Sequence, residues 1–155
     1  MPNPTKKDIR EFHQTFEKIP LANIATSSKK GKPHSATVLF VPGKDFELFF
    51  VTRSKTTKTA NLNENPWLSV SIGNEPPMAF QMYGRATIIK DQKTQDKIME
   101  LWAKKASKLE AVWPPIFRLD QNPYVIYHFK PSKVTALDLR EQNVAGGDTL
   151  FKKLR

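Results

Sequence analysis

The run Phe49-Phe50-Val51-Thr52-Arg53-Ser54-Lys55-Thr56-Thr57-Lys58-Thr59-Ala60-Asn61-Leu62-Asn63-Glu64-Asn65-Pro66 takes a hydrophobic strand straight into a cluster of hydroxyls and cations that opens a helix. Phe49 to Thr52 has the aromatic and β-branched make-up of a strand. From Arg53 the apolar density falls, and Ala60 and Leu62 among Ser, Thr, Lys and Asn predict a short helix. It ends at Asn65-Pro66, because the residue before a proline is pushed out of the helical region. A helix start leaves backbone N–H groups without partners at the positive end of the dipole. Together with neighbouring hydroxyls and Lys58, those donors make a site suited to a phosphate dianion. A plainer reading stands beside it: Ser54 or Thr56 is only an N-cap, and the lysines lie on a solvated face.

Working outward, Phe46 to Thr52 is one strand, set off by the breaker Pro42-Gly43-Lys44-Asp45 from another at Ser35 to Val41. Leu21 to Ser27 precedes that one across the turn Lys29-Lys30-Gly31-Lys32-Pro33. Before Pro20, the spacing of Ile9, Phe12, Phe16 and Ile19 predicts an amphipathic helix started by Pro4 or Thr5. Downstream, Trp67 to Ile72 alternates as a strand does, and the Asn74 to Pro77 turn leads to a long strand from Met78 to Lys90. Gly84 marks a bulge or a close backbone approach in it. Asp91 caps a helix carrying Ile98, Leu101 and Trp102. Tyr124 to Phe129 and Val134 to Leu139 read as a closing pair of strands parted by Lys130-Pro131-Ser132. About seven short strands with few helices and no regular βαβ alternation predict a mostly β fold, an antiparallel barrel with peripheral helices. The length of 155 residues suits one domain over residues 1–155. Arg140 to Arg155, with Gly146-Gly147, offers little pattern and is expected to need a partner surface for order.

The chain has no cysteine, which removes disulfides, thiolate metal sites and cysteine nucleophiles and fits a reducing compartment. No apolar run approaches a membrane span or a signal peptide core, so a cytoplasmic protein is expected. Motifs for a serine nucleophile elbow, a zinc protease, a P-loop or a dinucleotide fold are absent. The three histidines, His13, His34 and His128, are far apart, and no metal site is expected. The 25 Lys and Arg against 15 Asp and Glu give a net charge of +10 and a surface that attracts anions. A nucleic-acid-binding barrel is the competing class. It would concentrate basic residues and exposed aromatics on one face, whereas here the cations are dispersed and runs such as Phe46 to Phe50 look like core.

The order of elements, together with Val51-Thr52, Thr57-Lys58 and Asn65-Pro66 along one ungapped stretch, resembles the pyridoxamine 5'-phosphate oxidase-related family of flavin-binding split β-barrels. The similarity runs from about Pro20 to Lys90. It implies FMN at a homodimer interface, with the ring against one barrel and the partner closing the site. Ala36, Thr37 and Val38 would lie on the strand facing the ring. Thr52 and Ser54 would donate hydrogen bonds, Lys58 would pair with the phosphate, and Arg53 and Lys55 would add charge. Gln81 would reach the flavin edge, two positions out of the family register. Thr57 stands where many relatives carry Arg, and the Arg-and-His substrate motif of the true pyridoxamine phosphate oxidases has no counterpart in Val134 to Arg155. The implied activity is hydride or electron transfer with an unidentified small redox substrate; the alternative is a non-catalytic carrier or sensor of flavin, deazaflavin or haem. Trp67, Trp102 and Trp113 read as core and interface aromatics.

Overall fold

Thr5 begins the first helix by a reciprocal cap. Its hydroxyl accepts the Asp8 amide at 3.2 Å while the Asp8 carboxylate accepts the Thr5 amide at 2.8 Å. The computed structural model describes residues 4–73, 78–109, 123–138 and 151–155. In them the chain runs α1 (Lys6–Lys18), β1 (Leu21–Ser27), β2 (Pro33–Pro42), β3 (Leu48–Arg53), α2 (Thr57–Glu64), β4 (Trp67–Ile72), β5 (Met78–Ile88), α3 (Gln92–Ala106), β6 (Tyr124–Asp138) and β7 (Phe151–Lys153). The sheet order is β3-β2-β1-β4-β5-β6-β7, and β3 also pairs with β6, closing an antiparallel barrel of six strands with β7 on its edge. The expected split-barrel class therefore stands, with β5 ending at Ile88 rather than Lys90.

Alternation decides what the barrel encloses. In β1, Ala22, Ile24 and Thr26 are buried while Asn23 and Ala25 are exposed or nearly so, and β4 buries Leu68, Val70 and Ile72 in the same rhythm. β1 and β3 are both antiparallel to β2, so Ser27 and Arg53 share one end of the barrel and Leu21 and Leu48 the other. At the second end α1 inserts Phe12 and Phe16 among Phe40, Phe46 and Phe80, with ring centroids 5.2–6.1 Å apart. At the first end α2 follows, its Leu62 joining the same core.

The outer side of β2, β3 and β6 is covered by α3, whose Ile98, Trp102 and Ala106 pack on Leu39, Val41, Val51 and Ile126. The Trp102 indole donates to the Leu39 carbonyl at 3.3 Å, and the Lys105 ammonium donates to the Ile19 and Phe40 carbonyls at 3.2 Å each. Asp91 caps α3, and hydrogen bonds from the Thr94 hydroxyl and amide hold its carboxyl below the usual range.

Three sequence expectations change. Tyr124 to Asp138 is one strand of 15 residues, not two parted by Lys130-Pro131-Ser132. The pairing with β5 shifts register between Tyr83 and Gly84, and this bulge absorbs the missing N–H of Pro131. Gly84 is required there: a Cβ would meet Pro131 Cα at 2.7 Å and the Lys130 carbonyl closer still. Second, the C-terminal stretch is patterned where it is described. Residues 151–153 pair with Thr135, Ala136 and Leu137, Val134 exchanges hydrogen bonds with Leu154 and Arg155, and Lys152 turns inward to Asp138 at 3.7 Å. Third, Phe46 is not the start of a strand but the end of a 3-10 turn, Lys44–Phe46, in which Asp45 and Phe46 take φ of 50° and 63°. Left-handed backbone at two successive non-glycine residues costs of order 1–3 kcal/mol each, offset here by burying the Phe46 ring. Trp113, Gly146-Gly147 and the Asn74 to Pro77 turn lie outside the described residues.

Candidate functional site

β3 delivers the chain to one mouth of the barrel, where it must leave the sheet, and the hydroxyl-rich residues after Arg53 decide how. Thr56, not Ser54, is the N-cap of α2. The Thr56 hydroxyl accepts the Thr59 amide at 3.3 Å, and the two threonine hydroxyls lie 2.8 Å apart. The Thr59 hydroxyl also reaches the Arg53 carbonyl at 3.0 Å, and the Thr56 hydroxyl the same carbonyl at 3.5 Å. Thr56 is thus occupied by the fold. The amides of Thr57 and Lys58, first in the helix, find no acceptor among the described residues, as helix geometry requires.

The Lys58 side chain is half-buried, and burial lowers its pKa below the ordinary lysine value. No carboxylate among the described residues pairs with it. A cation drawn out of water, with no counter-charge among the described residues and beside amides that find no acceptor among them, is a donor set for an anion. Ser54 is half-buried, its amide donates to the Pro123 carbonyl at 2.9 Å, and its hydroxyl has no hydrogen bond to the described residues. Arg53, Lys55 and Thr57 are exposed around the same corner.

α2 is pinned from below. Asn61, buried, donates to the Thr26 hydroxyl at 3.1 Å, Asn65 donates to the Ser27 hydroxyl at 3.1 Å, and the Glu64 carboxylate accepts the Lys29 amide at 3.1 Å. These bonds fix the helix to β1 and to the turn after it, and so aim its N-terminus. Sequence reading missed Asn61 and Thr59; the signal was a polar residue on the turn of α2 that also carries Leu62. Deep in the barrel, the Tyr127 ring stacks on Phe50 at 5.2 Å and its hydroxyl faces Thr59 without a hydrogen bond of good geometry. Burial pushes that phenol's pKa up, and the Thr59 hydroxyl pulls it part of the way back.

The other expected site residues divide by the pleat. Thr52 and Val51 are buried, Thr52 toward the barrel and Val51 under α3, so Val51 offers a ligand only its backbone. Val38 is core, Ala36 packs half-buried against the core, and Thr37 points outward, donating to Asn23 Oδ1 at 2.7 Å. Ala36 and Thr37 therefore face opposite sides of β2. Gln81 stands apart from the α2 corner within one chain. It points outward from β5 into a hollow of about 340 Å³ beside Asn23, Ser35 and Ser71.

A second hollow on that uncovered face lies beside Trp67 and Tyr83, which are 44% and 49% exposed with ring centroids 6.3 Å apart. The Arg85 guanidinium lies 5.6 Å over the Trp67 ring. Of the tryptophans read as core and interface aromatics, Trp102 is core and Trp67 is exposed. Among the described residues no three His, Asp or Glu side chains come together as metal ligands, and no helix is long and apolar enough to cross a membrane. His13 and His128 are half-buried and meet Glu17 and Glu47 respectively, at 3.4 and 3.0 Å.

The model of the pyridoxamine 5'-phosphate oxidase family matches residues 7–138. The chain belongs to this family. No curated protein matches it. Among solved structures, a conserved hypothetical protein of Mycobacterium tuberculosis is 17% identical with a TM-score of 0.69, covering 90% of this chain and 92% of its own. A pyridoxamine 5'-phosphate oxidase-related, FMN-binding protein of Nostoc punctiforme is 20% identical, with a TM-score of 0.56 and 86% and 82% covered. HutZ, the haem storage protein of Vibrio cholerae, is 18% identical, with a TM-score of 0.55 and 83% and 92% covered. At these identities the structural matches establish the fold, and the family's split barrel is the one described above.

Proposed function

We propose that this chain binds FMN with the phosphate at the N-terminus of α2 and works as a flavin-dependent oxidoreductase in a homodimer. The observation that carries the reading is Lys58, half-buried, without a carboxylate among the described residues, beside the unpaired amides of Thr57 and Lys58. A phosphate dianion would supply a counter-charge and acceptors that the described residues do not give this corner. Ser54 would donate its hydroxyl to the phosphate or the ribityl chain, while Arg53 and Lys55 would strengthen the local positive field. Thr57 adds only a neutral donor, so Lys58 carries most of the charge-assisted bonding.

The ring would lie along the end of β2 near Ala36 and Thr37, where the small alanine limits crowding. The face of β1, β4 and β5, which no helix among the described residues covers and which carries exposed Trp67 and Tyr83, is the surface for the second copy. Gln81 on that face would then serve the partner's site and not its own, which accounts for its distance from the α2 corner. Bound FMN would supply the hydride and electron transfer itself, so the barrel needs no acid–base dyad.

The absorbance spectrum of protein purified without added cofactor tests the reading. Flavin bands, with light scattering at twice 17.7 kDa, are expected. A Soret band would replace it with haem binding, and a monomer that retains flavin would remove the shared site.

A further inference from the structure

A cleft of about 430 Å³ lies between α1 and the β2–β3 turn, at the opposite end of β3 from Lys58. Six residues of strand separate the two ends, or roughly 20 Å at the usual rise. Helix spacing places Lys6 and Arg10 one turn apart on the α1 face that looks at the turn, with Ile9 and His13 beside them. The left-handed Asp45 and Phe46 shape the other wall: Phe46 goes into the core while Lys44 and Asp45 stay exposed at the rim. His13 ties the walls together, its Nε2 donating to the Gly43 carbonyl at 3.2 Å and its ring meeting Phe46 edge-on at 5.3 Å.

The chemistry of this cleft is two-part. Among the residues lining the cleft, Lys6, Arg10 and Lys44 set three cations at the rim against one carboxylate, that of Asp45. Half-buried Ile9 gives the cleft its apolar surface, beside Phe46, which lines the same cleft but is largely buried at 3% exposure. The volume lies within the range of small-molecule sites. We propose that this cleft binds a small amphipathic anion, an acidic head group on a short or flat apolar body, the head held by Arg10 and Lys44 and the body against Ile9 and Phe46. The site is separate from the α2 corner and does not depend on a flavin there.

The test is a fluorescence titration of the full chain with anilinonaphthalene sulfonate, with hexanoate and phenyl phosphate as competitors. It is run on the wild type, on Arg10→Gln/Lys44→Gln and on Lys58→Met, with and without saturating FMN. The double variant changes only exposed side chains, and circular dichroism checks its fold. The expected result is one probe per chain, displaced by at least one competitor, with affinity about tenfold or more weaker in the double variant and raised by lower salt. Lys58→Met and FMN should leave it unchanged. Relative potency of the competitors assigns the head group as carboxylate or phosphate. No binding, equal affinity in wild type and double variant, or loss of probe on adding FMN or in Lys58→Met would overturn the proposal.

Discussion

Two lysines are drawn out of water at different places in this barrel, and the contrast between them separates structure from function. At the C-terminal edge, Lys152 lies 3.7 Å from the buried Asp138 carboxylate with its ammonium 5.9 Å from the Phe12 ring, and β7 pairs with β6 around it. At the α2 corner, Lys58 is half-buried beside hydroxyls and amides with no carboxylate among the described residues. The first cation completes a fold contact; the second has no carboxylate partner among the described residues and, on the proposed reading, is completed by a bound phosphate. Lys105 is intermediate, pointing at the two neutral carbonyls of Ile19 and Phe40.

Removing the charge tests the contrast most strongly at Lys152. Lys152→Met leaves the Asp138 carboxylate buried without its ammonium, and stability in a denaturant melt should fall by about 3 kcal/mol. A loss below about 0.5 kcal/mol would place the pair on the surface in effect. Next comes the anchor of the α2 corner: Asn61→Ala removes the buried bond to Thr26 and should cost about 1–2 kcal/mol by the same melt. FMN affinity should weaken with it, because the helix end is no longer aimed; retained affinity would show that Asn61 serves the core alone.

Lys105 gives a pH dependence. Burial lowers its pKa to about 8 in the folded chain, with Glu17 raising it and Lys108 lowering it by smaller amounts. The unfolded chain therefore holds more protons between about pH 8 and the ordinary lysine value, and stability should rise with pH through that window. The folded-state penalty is fully present below pH 8. Solvent reaches this half-buried amine, so the rise is about 1 kcal/mol, well under the undiscounted shift. Lys105→Met should abolish it; an unchanged slope would assign the effect to other groups. The smallest stability change belongs to Lys58: Lys58→Met should move the melt of ligand-free protein by less than about 0.5 kcal/mol, in either direction. A loss as large as that at Lys152 would mean that Lys58 is a structural residue.

Much of this was legible because the signals were local. Alternation marks β1 and β4, the three-and-four spacing of Phe12 and Phe16 marks α1, and the step from Phe50 to Lys58 marks strand, corner and helix. The features that escaped depend on distant partners. Pro131 reads as a break, yet the strand passes through it because Gly84, far away in sequence, opens a bulge opposite. Lys152 reads as one of several tail cations until Asp138 is found beneath it. Ser54 and Thr56 are equal cap candidates on paper, and only the Thr59 contacts choose between them.

The central claim is that Lys58 recognises a phosphate, and FMN differs from riboflavin by that group alone. Fluorescence titration of both flavins against the wild type and Lys58→Met isolates the interaction. The substitution should weaken FMN binding by about 10- to 100-fold, the worth of one charge-assisted contact, and leave riboflavin binding unchanged. Equal weakening of both flavins, or none of either, would contradict the account.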